Sequence, residues 1–148
     1  MLRLRRRTRL EIGRLGPRVL GAGIYAYVGS AHGPGGLAAR LKHHLGPSPR
    51  PHWHIDYLKA RARIAAIWAA VHRDRQECRW AAVLARMSGG RTPVPGFGAS
   101  DCACESHLFH FSDFPRLTDF NRRLVETAGG GPAFRLSPAT QTKRGGTG

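Results

Sequence analysis

Gly23-Ile24-Tyr25-Ala26-Tyr27-Val28-Gly29-Ser30 is followed, after a loop of glycines and Pro34, by Gly36-Leu37-Ala38-Ala39-Arg40-Leu41-Lys42-His43-His44-Leu45. A β-branched and aromatic run closed by glycine reads as a strand, with Tyr25 and Tyr27 on the same face. Leu37, Leu41 and Leu45 recur every four residues, which marks an amphipathic helix stopped by Gly46 and Pro47. Strand, glycine loop and helix in succession predict an α/β domain.

The flanking sequence extends that pattern. Leu2–Gly13 alternates apolar and basic residues and predicts one or two edge strands. His52–Leu58 reads as a short helix or turn, and Arg63–Val71 as a strand. Arg75–Met87 is apolar around most of its circumference, so a deeply packed helix is expected. Ser88–Ser100 is a Gly/Pro loop of a length that is usually functional or disordered. Ser106–Phe111 supplies a last strand and Phe114–Val125 a closing helix. The expectation is one domain over residues 1–126, a small, mainly antiparallel sheet flanked by helices. A disordered, basic, Gly-rich tail is expected over 127–148.

With 24 Lys and Arg against 9 Asp and Glu, the net charge of +15 favours polyanionic partners. A GC-rich genome inflates Arg, Ala, Gly and Pro, but it does not remove acids. No apolar run approaches the roughly 20 residues of a membrane helix, so no membrane partner is expected. The arginine run at the start has no apolar segment behind it, unlike a secretory signal. Three cysteines, two of them one residue apart, do not make a disulfide framework, and a reducing cytoplasm is expected.

Arg40 and His44, spaced i,i+4, share a helix face separate from the leucine stripe. With the tyrosine strand and the glycine loop they suit a phosphate cradle, and the competing reading is a solvated basic helix. Glu77 stands on a largely apolar helix, so its carboxylate needs a partner, either a divalent metal or an arginine. His52/His54 and Cys102/Cys104 are weakly spaced as zinc ligands. Buried thiols and a hydrogen-bonded His54–Asp56 turn are expected there instead. Asp101 and His107 are candidates to line the cleft.

Taken together, these residues resemble the GIY-YIG nuclease superfamily. Tyr27-Val28-Gly29 stands where that family has its second motif, Gly36-Leu37-Ala38-Ala39-Arg40 with His44 matches its arginine helix, and Glu77 matches its metal-binding glutamate. Closer still is a sparsely characterised branch, a domain of unknown function sometimes joined to endonuclease III-like glycosylases. The carriers are Tyr27-Val28-Gly29-Ser30-Ala31, His54-Ile55-Asp56-Tyr57-Leu58, Val94-Pro95-Gly96-Phe97-Gly98 and Asp101-Cys102-x-Cys104-x-Ser106-His107-Leu108-Phe109. The first-motif tyrosine belongs on an earlier strand, at or before Met1–Leu4, where none stands. Either the start lies further upstream or half of the tyrosine pair is missing.

The resemblance implies a GIY-YIG-like fold and metal-dependent hydrolysis of nucleic-acid phosphodiesters, DNA ahead of RNA. The alternative is a catalytically impaired binding module that retains the fold. Tyr27, Arg40, His44 and Glu77 are the implied catalytic residues, and Glu77 is the implied ligand of a single Mg²⁺ or Mn²⁺, with zinc not favoured. Gly29, Ser30, Arg40, Lys42, His43 and His54 are the expected nucleic-acid contacts. A DNA-repair protein is a candidate partner.

Overall fold

The computed structural model describes residues 1–127 and 132–136. Chain order runs β1 (Leu2–Leu4), β2 (Thr8–Glu11), β3 (Pro17–Leu20), β4 (Gly23–Tyr27), α1 (Gly36–Leu45), α2 (His54–Lys59), β5 (Arg63–Ile64), β6 (Ile67–Ala69), α3 (Glu77–Ala85), β7 (Leu108–Phe111), α4 (Leu117–Glu126) and β8 (Phe134–Leu136). The main sheet is antiparallel with strand order β5-β1-β4-β7. β2 pairs with β3, and β6 with β8. The fold is mixed α/β, as expected. No helix among the described residues is long and apolar enough to cross a membrane.

β4 is the spine because both of its faces are apolar. Ile24, Ala26 and Val28 point to one side, where Phe109 and Phe111 of β7 meet Ala81, Val83 and Leu84 of α3 and Phe120 and Leu124 of α4. Tyr25 points to the other side, among Leu2, Leu4, Leu108, Ile55, Leu58 and Phe97, with Tyr27 packed at the margin. Period-two alternation thus feeds two cores at once. Each fully buried Leu or Phe contributes about 1.5–3 kcal/mol, so the sheet is held from both sides.

Three expectations change in detail. β1 is an inner strand and not an edge, because β5 pairs along its far side. Arg63–Val71 is broken into β5 and β6, which join different sheets. The loop after α3 is packed: Val94 and Phe97 are fully buried, and His107 N–H donates to the Phe97 carbonyl at 2.7 Å. Within the stretch expected to be a tail, β8 pairs with β6, while 128–131 and 137–148 lie outside the described residues.

Asp56 fixes the segment leading into α2. Its carboxylate is buried and accepts from the His52 and Trp53 amides, each at 3.0 Å, and from Ser48 Oγ at 3.0 Å. His43 Nε2 lies 3.1 Å away and Lys59 Nζ 3.6 Å. Burial alone raises the pKa of such a carboxyl, but the two amides, Ser48 and His43 together hold it well below the usual range. A depressed acid stabilises the fold above its unfolded pKa of about 4, and the contribution is lost as pH falls towards the folded value. Asp56→Asn is therefore expected to cost about 3 kcal/mol at pH 7, with the gap narrowing below about pH 4. Urea titrations across pH check this, and a pH-independent gap would contradict it.

Candidate functional site

Just beyond the end of β4, the Arg40 side chain crosses over Gly29. A Cβ built on Gly29 would stand 2.8 Å from Arg40 Nη2 and 3.3 Å from the Tyr27 ring. Only a hydrogen at that position leaves room for the guanidinium. Arg40 Nη2 donates to the Tyr27 hydroxyl at 3.4 Å, and the guanidinium carbon lies 4.5 Å from the centre of the Trp53 ring. Gly98, at φ 69°, closes the other side, its virtual Cβ 3.0 Å from Tyr27. The positive φ and the close approach both call for glycine.

Tyr27, Gly29, Ser30, Arg40, His54, Glu77, Asp101 and His107 line one cleft of about 410 Å³. Two polar atoms in this group are buried without a hydrogen-bond partner among the described residues, Arg40 Nε and Glu77 Oε2. The other Glu77 oxygen meets Arg75 at 3.7 Å. An unmade hydrogen bond at a buried polar atom costs about 1–3 kcal/mol. One donor and one acceptor on residues of the same cleft are thus left unpaired, both atoms shielded from solvent.

Protonation states are set by burial. It raises the Tyr27 pKa above its ordinary value, and the neighbouring Arg40 charge offsets this only in part. The phenol therefore stays protonated. His44 stands edge-on to Tyr27, ring centres 5.9 Å apart, on the wall of an adjoining apolar cavity. Burial, then the charges of Arg40 and Lys59, lower its pKa to about 3, so it is neutral. Tyr25 is structural: its ring is buried, its hydroxyl donates to the Gly21 carbonyl at 2.7 Å, and burial pushes its pKa up to about 12.

The other expected contacts divide. Ser30 lines the cleft, with its hydroxyl 3.1 Å from His32 Nδ1. His54 lines it too, and its Nδ1 accepts from the Gly98 amide at 3.0 Å. His43 is engaged by Asp56, and Lys42 is exposed on α1 outside the cleft lining. Trp53, which the sequence reading passed over, joins the cleft beside Arg40.

Metal chemistry lies next to this cleft and differs from the expectation. Cys78, Cys102, Cys104 and His107 bring three sulfurs and a ring nitrogen within 4.8 Å of one another. In a tetrahedral zinc site, bonds of about 2.3 Å to sulfur set neighbouring sulfurs roughly 3.8 Å apart. Cys102 Sγ already lies 3.4 Å from His107 Nε2. Mg²⁺ and Mn²⁺ ask for oxygen donors, and Glu77 belongs to no group of three potential ligands among the described residues. The expected single Mg²⁺ or Mn²⁺ and the disfavoured zinc are both overturned: the donor set is Cys₃His, of zinc type. Four protein ligands close such a site, which makes it structural in kind. Burial raises the pKa values of Cys78 and Cys104, the latter to about 12, and lowers that of His107. A bound cation reverses this for the thiols.

Of the two pairs weighed as zinc ligands, Cys102/Cys104 belongs to the cluster and His52/His54 does not. The signal that finds them is Cys102-x-Cys104-x₂-His107, with Cys78 as the remote fourth member. Each of two ligands is chain neighbour to a cleft acid, Cys78 to Glu77 and Cys102 to Asp101.

Residues 1–129 match the family described as domain of unknown function DUF123. The chain belongs to that family. The match spans β1 to α4, so every residue of the cleft and of the Cys₃His cluster lies inside the DUF123 domain. No curated protein and no solved structure matches the chain.

Proposed function

We propose that this DUF123 domain is a GIY-YIG-type nuclease that holds a nucleic-acid backbone phosphate in the Tyr27–Arg40 cleft and hydrolyses the diester. One observation carries the reading: Tyr27, Arg40 and Glu77 line the same cleft, and Arg40 Nε and Glu77 Oε2 lack a hydrogen-bond partner among the described residues. A site that only held an anion has no use for a buried carboxylate, which repels the ligand. A site that also activates water does. The phosphodiester supplies acceptors to Arg40 and to the Tyr27 proton, and the attacking water gives its proton to Glu77. The new P–O bond forms as the bond to the leaving oxygen breaks, and that oxygen takes a proton from Tyr27. Neutral His44 packs against the phenol and adds no repulsive charge. The net charge of +15 supports the polyanionic substrate, and DNA is the proposed form.

The full chain, incubated with labelled DNA across a salt series, tests both halves. Binding is expected to weaken steeply, with log K linear in log salt concentration. Cleavage is expected to fall roughly 10²-fold in Arg40→Lys, which keeps the charge and loses the fork. Absence of binding at low salt would overturn the reading. The second reading, a binding module without chemistry, is favoured by Glu77 belonging to no group of three potential metal ligands among the described residues, and binding without cleavage would select it.

A further inference from the structure

We infer that Trp53 is a stacking platform for an unpaired nucleobase, so that the cleft takes single-stranded or splayed nucleic acid in preference to an intact duplex. The inference rests on the functional reading above and names its substrate class. Trp53 is 37% exposed although its surroundings hold it tightly. Its backbone N–H donates to the Asp56 carboxylate at 3.0 Å, and its carbonyl accepts from the Asp56 backbone N–H at 2.9 Å. His43 meets the indole edge-on, at 4.4 Å between ring centres and 85°. The Arg40 guanidinium lies over the ring at 4.5 Å. A large aromatic surface is thus fixed in position and still partly open to solvent, directly beside the group that holds the phosphate.

That arrangement suits a nucleotide. The guanidinium, oriented by the ring beneath it, directs its N–H groups at the phosphate, and the exposed indole surface lies within reach of the attached base. Stacking of this kind is sequence-tolerant, because every base has a π-face. Within a duplex both faces of each base are already covered by neighbours, so only an unpaired or extruded base can use the platform. A tryptophan that served only to hold Arg40 would give no preference between strands with and without bases.

Fluorescence anisotropy with three probes separates these cases: a labelled 12-nucleotide thymidine strand, an abasic strand of equal length and charge, and a 12-base-pair duplex. The parent protein is expected to bind the thymidine strand more tightly than the abasic one, and Trp53→Leu to weaken thymidine binding roughly 5- to 100-fold. Duplex and abasic binding should weaken much less than thymidine binding, the salt slope should stay as in the parent, and Trp53→Phe should restore affinity. Equal binding of thymidine and abasic strands by the parent would overturn the platform while leaving the phosphate site standing. Equal weakening on all three probes by Trp53→Leu would reduce Trp53 to a support for Arg40. Failure of the parent to bind any probe would remove the functional reading itself.

Discussion

Glu77→Gln is expected to lower phosphodiester cleavage by about 10²- to 10⁴-fold, the range for loss of a positioned proton acceptor. The substitution keeps size and shape and removes only the charge that accepts the water's proton. The ion pair to Arg75 is long at 3.7 Å and its arginine is exposed, so losing it costs little stability. Affinity for DNA is expected to hold or to rise, because a negative charge leaves an anion site. Melting, binding and cleavage measured on the same preparation decide the matter. A variant that cuts as well as the parent, or that unfolds, would make Glu77 a structural group.

The second large effect concerns the Cys₃His cluster. The purified protein is expected to carry one zinc per chain, and Cys104→Ser or prolonged chelation to lower the melting temperature by at least about 10 °C. The scale follows from metal binding that is folding free energy, of order 10 kcal/mol in small zinc domains, and from about 2–4 °C per kcal/mol for a domain of this size. The cluster joins the first turn of α3 to the loop before β7. Metal analysis together with calorimetry checks it. Protein without zinc, whose Cys104→Ser variant melts with the parent, would leave the cluster as a group of free thiols.

How far the sequence revealed this depends on the range of each signal. β4 is legible because its aromatic and β-branched composition is local, α1 because its period-four pattern is, and α4 because its apolar face repeats within ten residues. β1 was taken for an edge because alternation reports which faces are wet, not what pairs along each side. Tyr27, Arg40 and Glu77 were found by motif, and the structure brings them to one cleft. The metal was misread because Cys78 is separated from Cys102 by a helix and a long loop, and only the packing of that loop makes them neighbours. Trp53 was missed because its position follows from Asp56, a buried acid whose partners come from α1, α2 and the loop between them.

The bareness of position 29 has a consequence for reading relatives. A methyl group there would meet the far end of the Arg40 side chain and not the backbone, so the strain would be relieved by the arginine swinging off the tyrosine hydroxyl. The fold would hardly register the change, while the site would lose its geometry. A relative carrying alanine at this place would still own every functional group named above, matched letter for letter, and would be silent. The proposed phosphate site therefore depends on a residue that has no chemistry of its own.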